Sequence, residues 1–314
     1  MILLIKYTLL YAMVLLLVAL GGMFSERSGV INIALEGIMA IGGLAGVLAL
    51  VILPKETPAG TIVLISILAS ALMGAVFSLL LAFSAITLKA DQTIGGTALN
   101  MMSVAIGVIV VKVFNSKTME NTSSKLSYSN DAFLKTITLG DGKVLTINVF
   151  FWIGLILLIL SWFFLFKTKW GLQLRACGEH PSAADSVGIN VYKYRYLGVV
   201  ISGVLGGIGG FAYIVPSVSV WNFEVGVTGF GFLALAVMIF GQWKPFRIFG
   251  AALFFAVFKS LANIADSTIL AKLHLSKNIY DMMPFIASMI ILIIFSKNSQ
   301  APKAEGIPYD KGAR

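Results

Sequence analysis

The stretch RACGEHPSAADSVGINVYKYR, residues 175–195, is a polar segment set between two long apolar runs. The fold turns on what those runs are. The chain has 314 residues, 58% hydrophobic and 12% charged, with a mean hydropathy of +0.94, so charged side chains are too scarce to coat a soluble globule of this size. Runs of about 20 apolar residues, enough to cross hydrocarbon as a helix, recur along the whole length. Nothing resembles the ~10-residue alternation of an outer-membrane barrel. An all-α fold is expected, a polytopic transmembrane helical bundle.

Working outward from the polar segment, the apolar runs fall at 3–22, 38–53, 61–88, 94–114, 149–166, 196–216, 226–240, 248–265 and 281–295. They amount to about nine membrane segments, or about eight to ten, because the second and seventh are short for a crossing and the third is long enough to tilt or break. GGMFSERSGV follows the first run in place of a small-residue cleavage site, which marks a retained span. Lys167, Lys169, Arg175, Lys193 and Arg195 flank the central loop; Lys244 and Arg247 sit in GQWKPFR; Lys297, Lys303, Lys311 and Arg314 mark the tail. By the positive-inside rule all three are cytoplasmic.

This gives one transmembrane domain over 1–298, with loop 167–195 inside, loop 115–148 outside and a cytoplasmic tail over 299–314. The start of the chain lies outside if all nine segments cross, and inside if one early segment is re-entrant.

Several functions are excluded. The net charge of +9 sits in short loops between spans, where it sets orientation and does not form a nucleic-acid surface. Cys177 is the sole cysteine, and His180 and His274 are the only histidines, so neither an internal disulfide nor a metal-ligand cluster is expected. No phosphate loop ending in GK[ST] and no convergent catalytic set occurs, so the chain reads as a non-enzyme without a cofactor, whose energy enters through a partner. Glycines four apart, Gly42 with Gly46, Gly203 with Gly207 and Gly206 with Gly210, suit close helix packing in lipid.

Within the central loop, Pro181 opens and Gly188 closes a short helix over 181–187. Ala183 and Ala184 leave a face that fits a groove on another protein; a solvated loop is the plainer alternative. Here GEHPSAADSVGIN resembles the motif G-x-N-x-x-A-A-x-x-x-G-I-N of permease subunits of ABC importers of the branched-chain amino acid and simple-sugar class. Gly178, Pro181, Ala183, Ala184, Gly188, Ile189 and Asn190 match, beside Glu179, and His180 stands where that family usually has Asn. SERSGVINIALEG (25–37) resembles the corresponding segment of the nucleoside branch, and ALAVMIFGQWKP (234–245) is similar to the family's A-L-x-x-x-I-F-G-x-W-x-P.

The resemblance implies a transport subunit in a bacterial plasma membrane. It implies a loop helix that docks on a separate ABC ATPase subunit, a second and non-identical permease chain, an external solute-binding lipoprotein, and nucleosides as solute. Ribose-like sugars and riboflavin are the alternatives within the class. An ion-coupled secondary transporter is the alternative outside it, with Glu36 its one strong coupling residue.

Polar groups near lipid depth are the candidates for a translocation path. Asn32 and Glu36 are four apart and would share a helix face, and a carboxylate there needs a polar cavity or a partner, Arg27 or a backbone amide. Glu36 alternatively pins a helix junction. Gln92, Asn100 and Ser103 keep helical phase, and Asn263 lies in the eighth run. Neutral hydrogen-bonding groups of this kind hand a polar solute along, or bond helix to helix. Trp221, Asn222, Phe223 and Glu224 read as interfacial anchors or as a docking surface for the external protein.

Overall fold

The computed structural model describes residues 2–54, 56–118, 122–139, 143–264, 277–295 and 301–312. Helices α1 (Ile2–Arg27), α2 (Leu35–Ile52), α3 (Ala59–Ala82), α4 (Gln92–Thr118) and α5 (Val149–Lys167) lead to the polar α6 (Lys169–Glu179) and α7 (Pro181–Ser186). Then come α8 (Val191–Ser217), α9 (Phe230–Phe240), α10 (Pro245–Ile264) and α11 (Lys277–Phe295). Seven of the described helices, α1 to α5, α8 and α10, are long and apolar enough to cross a membrane. The apolar α9 has 11 residues, which at 1.5 Å per residue is about half of a ~30 Å hydrocarbon core. The expected multi-pass helical bundle is what forms.

Boundaries depart from the apolar runs where polar residues find partners inside the protein. α1 continues through Ser25, Glu26 and Arg27 before it ends. The long third run breaks in a π-helical turn, Phe83–Thr87. Since α2 begins only at Leu35, Asn32 lies outside any helix, and it does not share a helical face with Glu36. Ala265, His274, Lys297 and Arg314, which figured in the reading of spans, loop and tail, lie outside the described residues.

The loop over residues 115–148 adds strands to the helical class. β1 (Lys125–Ser127) pairs antiparallel with β4 (Val220–Asn222), Leu126 opposite Trp221, and β2 (Leu134–Leu139) forms a hairpin with β3 (Lys143–Asn148). The alternation Thr136-Ile137-Thr138-Leu139 and Val144-Leu145-Thr146-Ile147 carries the period of two that a strand needs.

Burial identifies the central helix. In α8, 83% of the most apolar window is buried, against 28% in each of α3, α4 and α5. α8 packs against α1, α2 and α3. Leu68, Leu72, Met101, Ile109, Trp152 and Ile159 stay exposed on the outer helices, an apolar surface suited to lipid or to a second membrane chain. Small residues bring α8 and its neighbours into backbone contact: Ser70 Oγ donates to the Gly207 carbonyl at 2.6 Å. A Cβ on Gly207 would stand 2.4 Å from the Ser70 carbonyl oxygen.

The molecule has two distinct ends. Lys6 and Tyr7 of α1 line a small cavity with Asn148, Phe150 and Pro216, beside the strands. The end of α1, the start of α4, the α6–α7 loop and the tail meet at the opposite end. The start of α1 and the tail are therefore at opposite ends of the bundle.

Gly207→Val places methyl groups where the Ser70 carbonyl stands. A loss of stability of about 3 kcal/mol or more is expected, since backbone has to move. Thermal unfolding and size-exclusion yield in detergent check this, with Gly250→Ala, which meets nothing within 4 Å, as the silent control.

Candidate functional site

Residues 28–34, between α1 and α2, are not helical. Each peptide group there needs a partner from the protein, because an unpaired one in hydrocarbon costs several kcal/mol. Within the segment itself, Ser25 Oγ donates to the Val30 carbonyl at 2.7 Å. From α4, Gln92 Oε1 accepts from Ile31 N at 2.7 Å. Asn100 does double duty: its Nδ2 donates to the Ile33 carbonyl at 2.9 Å and its Oδ1 accepts from Gly37 N at 2.7 Å. From α8, Ser202 Oγ accepts from Asn32 Nδ2 at 2.8 Å. Gln92, Asn100 and Ser103 lie on one face of α4, as their phase predicts, with the Ser103 hydroxyl turned onto the Asn100 carbonyl at 2.7 Å. Asn263 is exposed on α10 and is not brought to this group.

The Glu36 carboxylate caps α9. Its Oε1 accepts from Gly229 N and its Oε2 from Gly231 N, both at 2.7 Å. A helix N-terminus carries unpaired N–H groups and partial positive charge, so a carboxylate is its best partner. Of the two partners expected for Glu36, the backbone amides are the ones found. Arg27 turns the other way: its Nη1 lies 3.7 Å from Glu179 Oε1 and its Nη2 donates to the Trp243 carbonyl at 3.2 Å. Trp243 Nε1 donates in turn to Glu26 Oε2 at 2.6 Å. These bonds hold Gln242 and Trp243 at φ of +51° and +52°, a left-handed conformation that non-glycine residues adopt only where surroundings impose it.

The three sequence motifs, far apart in the chain, thus meet at one end of the bundle. α7 runs Pro181–Ser186 with proline in its first turn, and Gly188, at φ +84°, reverses the chain after it. Ile189 N donates to the Ala184 carbonyl at 3.1 Å, and Asn190 Oδ1 caps α8 by accepting from Lys193 N at 3.0 Å. His180 makes no side-chain cap. Gly178 is pressed against α1, since a Cβ there would stand 2.4 Å from the Arg27 carbonyl oxygen. Ser182 and Ala183 face outward, whereas Ala184 is 4% exposed and packs with Cys177, Val191 and Tyr309. The outward face expected of both alanines therefore belongs to Ala183. Burial pushes the Cys177 thiol up to about 11, so it is a packed side chain and a poor nucleophile.

Two contributions escaped the sequence reading. The Trp243–Glu26 bond joins two motif residues whose pairing nothing in their spacing announces. The tail also returns to this end, Ala304 N donating to the Gly178 carbonyl at 2.9 Å. At the far end, Phe223 is buried, and Asn222 Oδ1 accepts from Ser124 Oγ at 3.0 Å and from Glu224 N at 3.1 Å. Trp221 packs on Tyr213 at 5.5 Å between ring centroids. These four residues brace the β1–β4 pair.

Glu36→Ala leaves the two α9 amides unpaired, and a stability loss of about 3 kcal/mol is expected. Glu36→Gln, which keeps one acceptor oxygen, should lose less. Melting temperatures of the two variants in detergent rank them; equal, wild-type values would remove the capping assignment.

Over residues 4–294 the chain matches the family described as "Branched-chain amino acid transport system / permease component". It is 42% identical to "Guanosine ABC transporter permease protein NupQ" of Bacillus subtilis, covering 98% of this chain and 96% of that one. It is 39% identical to "Nucleoside ABC transporter permease protein NupC" of Lactococcus lactis, covering 96% and 95% respectively. "Nucleoside ABC transporter permease protein NupB" of Lactococcus lactis is 25% identical over 96% of this chain and 83% of its own. No solved structure matches the chain. With the helical bundle and the three converging motifs, the match over nearly the whole length places this chain in the branched-chain amino acid transport system permease family.

Proposed function

We propose that the chain is the membrane-spanning permease subunit of an ABC importer for nucleosides. The observation that carries this reading is the 42% identity, over 98% of the chain, to a relative named for guanosine. Hydrolysis of ATP belongs to a separate subunit docked at α7. A second, non-identical permease chain and an external solute-binding lipoprotein complete the complex. Lys89, Lys167, Lys169, Arg175, Lys193 and Lys244 lie on or beside the segments of the α7 end, which by the positive-inside rule faces the cytoplasm together with the tail.

The chemistry of the path follows from which hydrogen-bonding atoms are already committed. Glu36 and Asn100 spend theirs on backbone, and Ser103 spends its hydroxyl proton on its own helix. Asn32 Oδ1 and Gln92 Nε2 are buried without a hydrogen-bond partner among the described residues. They are the two atoms of the set with capacity for a passing solute, one an acceptor and one a donor. Both sit beside the irregular backbone of residues 28–34, the kind of element that lines a path in transporters built on broken helices. A neutral donor and acceptor bind a nucleoside weakly enough to release it.

The mechanism places the working surface on Ser182 and Ala183 of α7. Closure of the ATPase pair on ATP pushes α7, and the permease pair exchanges inward-facing for outward-facing states.

Two measurements test this reading. Cells expressing the complete transporter should take up radiolabelled guanosine, with excess unlabelled nucleosides competing and ribose or riboflavin not. Uptake displaced by ribose or riboflavin alone would replace the substrate class. Ala183→Asp should keep the complex assembled and ATPase activity measurable while uptake falls about tenfold or more, the size of a lost coupling free energy of over 1 kcal/mol.

A further inference from the structure

We propose that the C-terminal segment 301–312 is a strap that positions α7 for the coupling step, with Tyr309 as its anchor. The inference rests on the reading that α7 meets the ATPase. The family match stops at residue 294, so the strap lies beyond the region that defines the family.

The strap has neither helix nor strand, yet its backbone is tied to three separate elements. Ala304 N donates to the Gly178 carbonyl at the end of α6 at 2.9 Å, and Gly306 N donates to the Gly29 carbonyl in the α1–α2 turn at 3.2 Å. Arg195 Nη1 of α8 donates to the Ile307 carbonyl at 2.9 Å. Side chains extend the attachment. Tyr309 is 7% exposed, packs at a tilt against Tyr192 with 5.5 Å between ring centroids, and closes the cluster that contains Cys177 and Ala184. Asp310 pairs with Lys89 before α4 at 2.7 Å, and Lys311 with Asp185 of α7 at 3.3 Å.

Each ion pair is more than 40% exposed on at least one side, and such pairs contribute little. The apolar anchor and Arg195 decide. Arg195 is 1% exposed, and its Nε and Nη2 have no hydrogen-bond partner among the described residues. Among the described residues no carboxylate pairs with it. A buried guanidinium is tolerated only where acceptors meet it, and the acceptor that Arg195 has is the Ile307 carbonyl of the strap. Space around it is already used: a Cβ on Gly29 would stand 2.8 Å from Nη2, at a φ of +97° that glycine alone adopts easily.

α7 has six residues, too few to hold a helix or a position unaided. Ala184 seats it on Cys177 and Val191, and the strap closes the same cluster through Tyr309 and reaches Asp185 through Lys311. A push on α7 then moves the α1–α2 turn and the foot of α4 with it, where an untied helix would rotate away under the load.

Cys177, covered by the strap anchor, reports the state of the strap. In inside-out vesicles carrying the complete transporter, wild-type Cys177 should resist a membrane-impermeant maleimide, read on the permease band. Tyr309→Ala should expose it and lower uptake per ATP hydrolysed about tenfold in reconstituted transporter, while Tyr309→Phe restores both. Should Tyr309→Ala fail to assemble, Lys89→Asp, which sets two carboxylates face to face and repels the strap, should weaken coupling, and the exchange Lys89→Asp with Asp310→Lys should recover it. Exposed Cys177 with unchanged uptake per ATP would overturn the positioning role. Continued protection in Tyr309→Ala, or an exchange variant no better than Lys89→Asp alone, would overturn the attachment. Full coupling in Ala183→Asp would remove the docking reading itself, and the strap's function with it.

Discussion

A chain that leaves the helical state inside packed protein has to satisfy its own peptide groups, and residues 28–34, all buried or half-buried, impose that requirement on everything around them. Water does it for a surface loop. Here α4 supplies Gln92 and Asn100, α8 supplies Ser202, and α1 folds back through Ser25. The start of α9 presents the mirror problem, a helix N-terminus short of the membrane surface with free N–H groups, and Glu36 at the start of α2 resolves it. Broken backbone at two places is thereby made into one polar core. The carboxylate is tolerated there because the α9 amides give it charge-assisted hydrogen bonds in place of water.

Apolar area does little to hold helices together in lipid, so contact quality decides. α8 answers with a glycine face that lets Ser70 reach the Gly207 carbonyl at 2.6 Å, and most of its surface is buried inside one chain. α3, α4 and α5 have the opposite character, 28% buried with large apolar side chains outward. One chain therefore contains a fixed core, α1, α2 and α8, and a set of helices whose remaining contacts have to come from lipid or from another subunit.

The spans were legible because a run of about 20 apolar residues has no other stable home. Their ends were less so: Ser25, Glu26 and Arg27 read as loop by hydropathy, but each finds a partner inside the protein and α1 continues. The helical phase of Gln92, Asn100 and Ser103 held because α4 is regular throughout. The same argument failed for Asn32 and Glu36, since a four-residue spacing means a shared face only if a helix joins them. Pro181, Gly188 and Asn190 announced α7 and its boundaries through local chemistry, but which alanine faced outward depended on Tyr309, more than a hundred residues on. The β1–β4 pairing and the strap were hidden for the same reason. The β1–β4 bonds, and those that the strap makes through Ala304 N and Gly306 N, run backbone to backbone across long separations, and such bonds leave little trace in side-chain pattern.

The loop after α9 shows how these contacts make one mechanical unit. Gln242 and Trp243 occupy left-handed conformations that cost free energy, on the order of 1–3 kcal/mol each, and bonds to Glu26 and Arg27 hold Trp243 there. Arg27 also faces Glu179, one residue from α7, with Gly178 seated on the Arg27 carbonyl. Displacement of α7 thus reaches the end of α1 directly and the lower end of α9 through Trp243. The upper end of α9 is the one Glu36 holds beside Asn32. On the proposed function, a movement imposed by the ATPase at one end of an 11-residue helix arrives at the solute path by way of the other, without any need to deform the tightly packed α8.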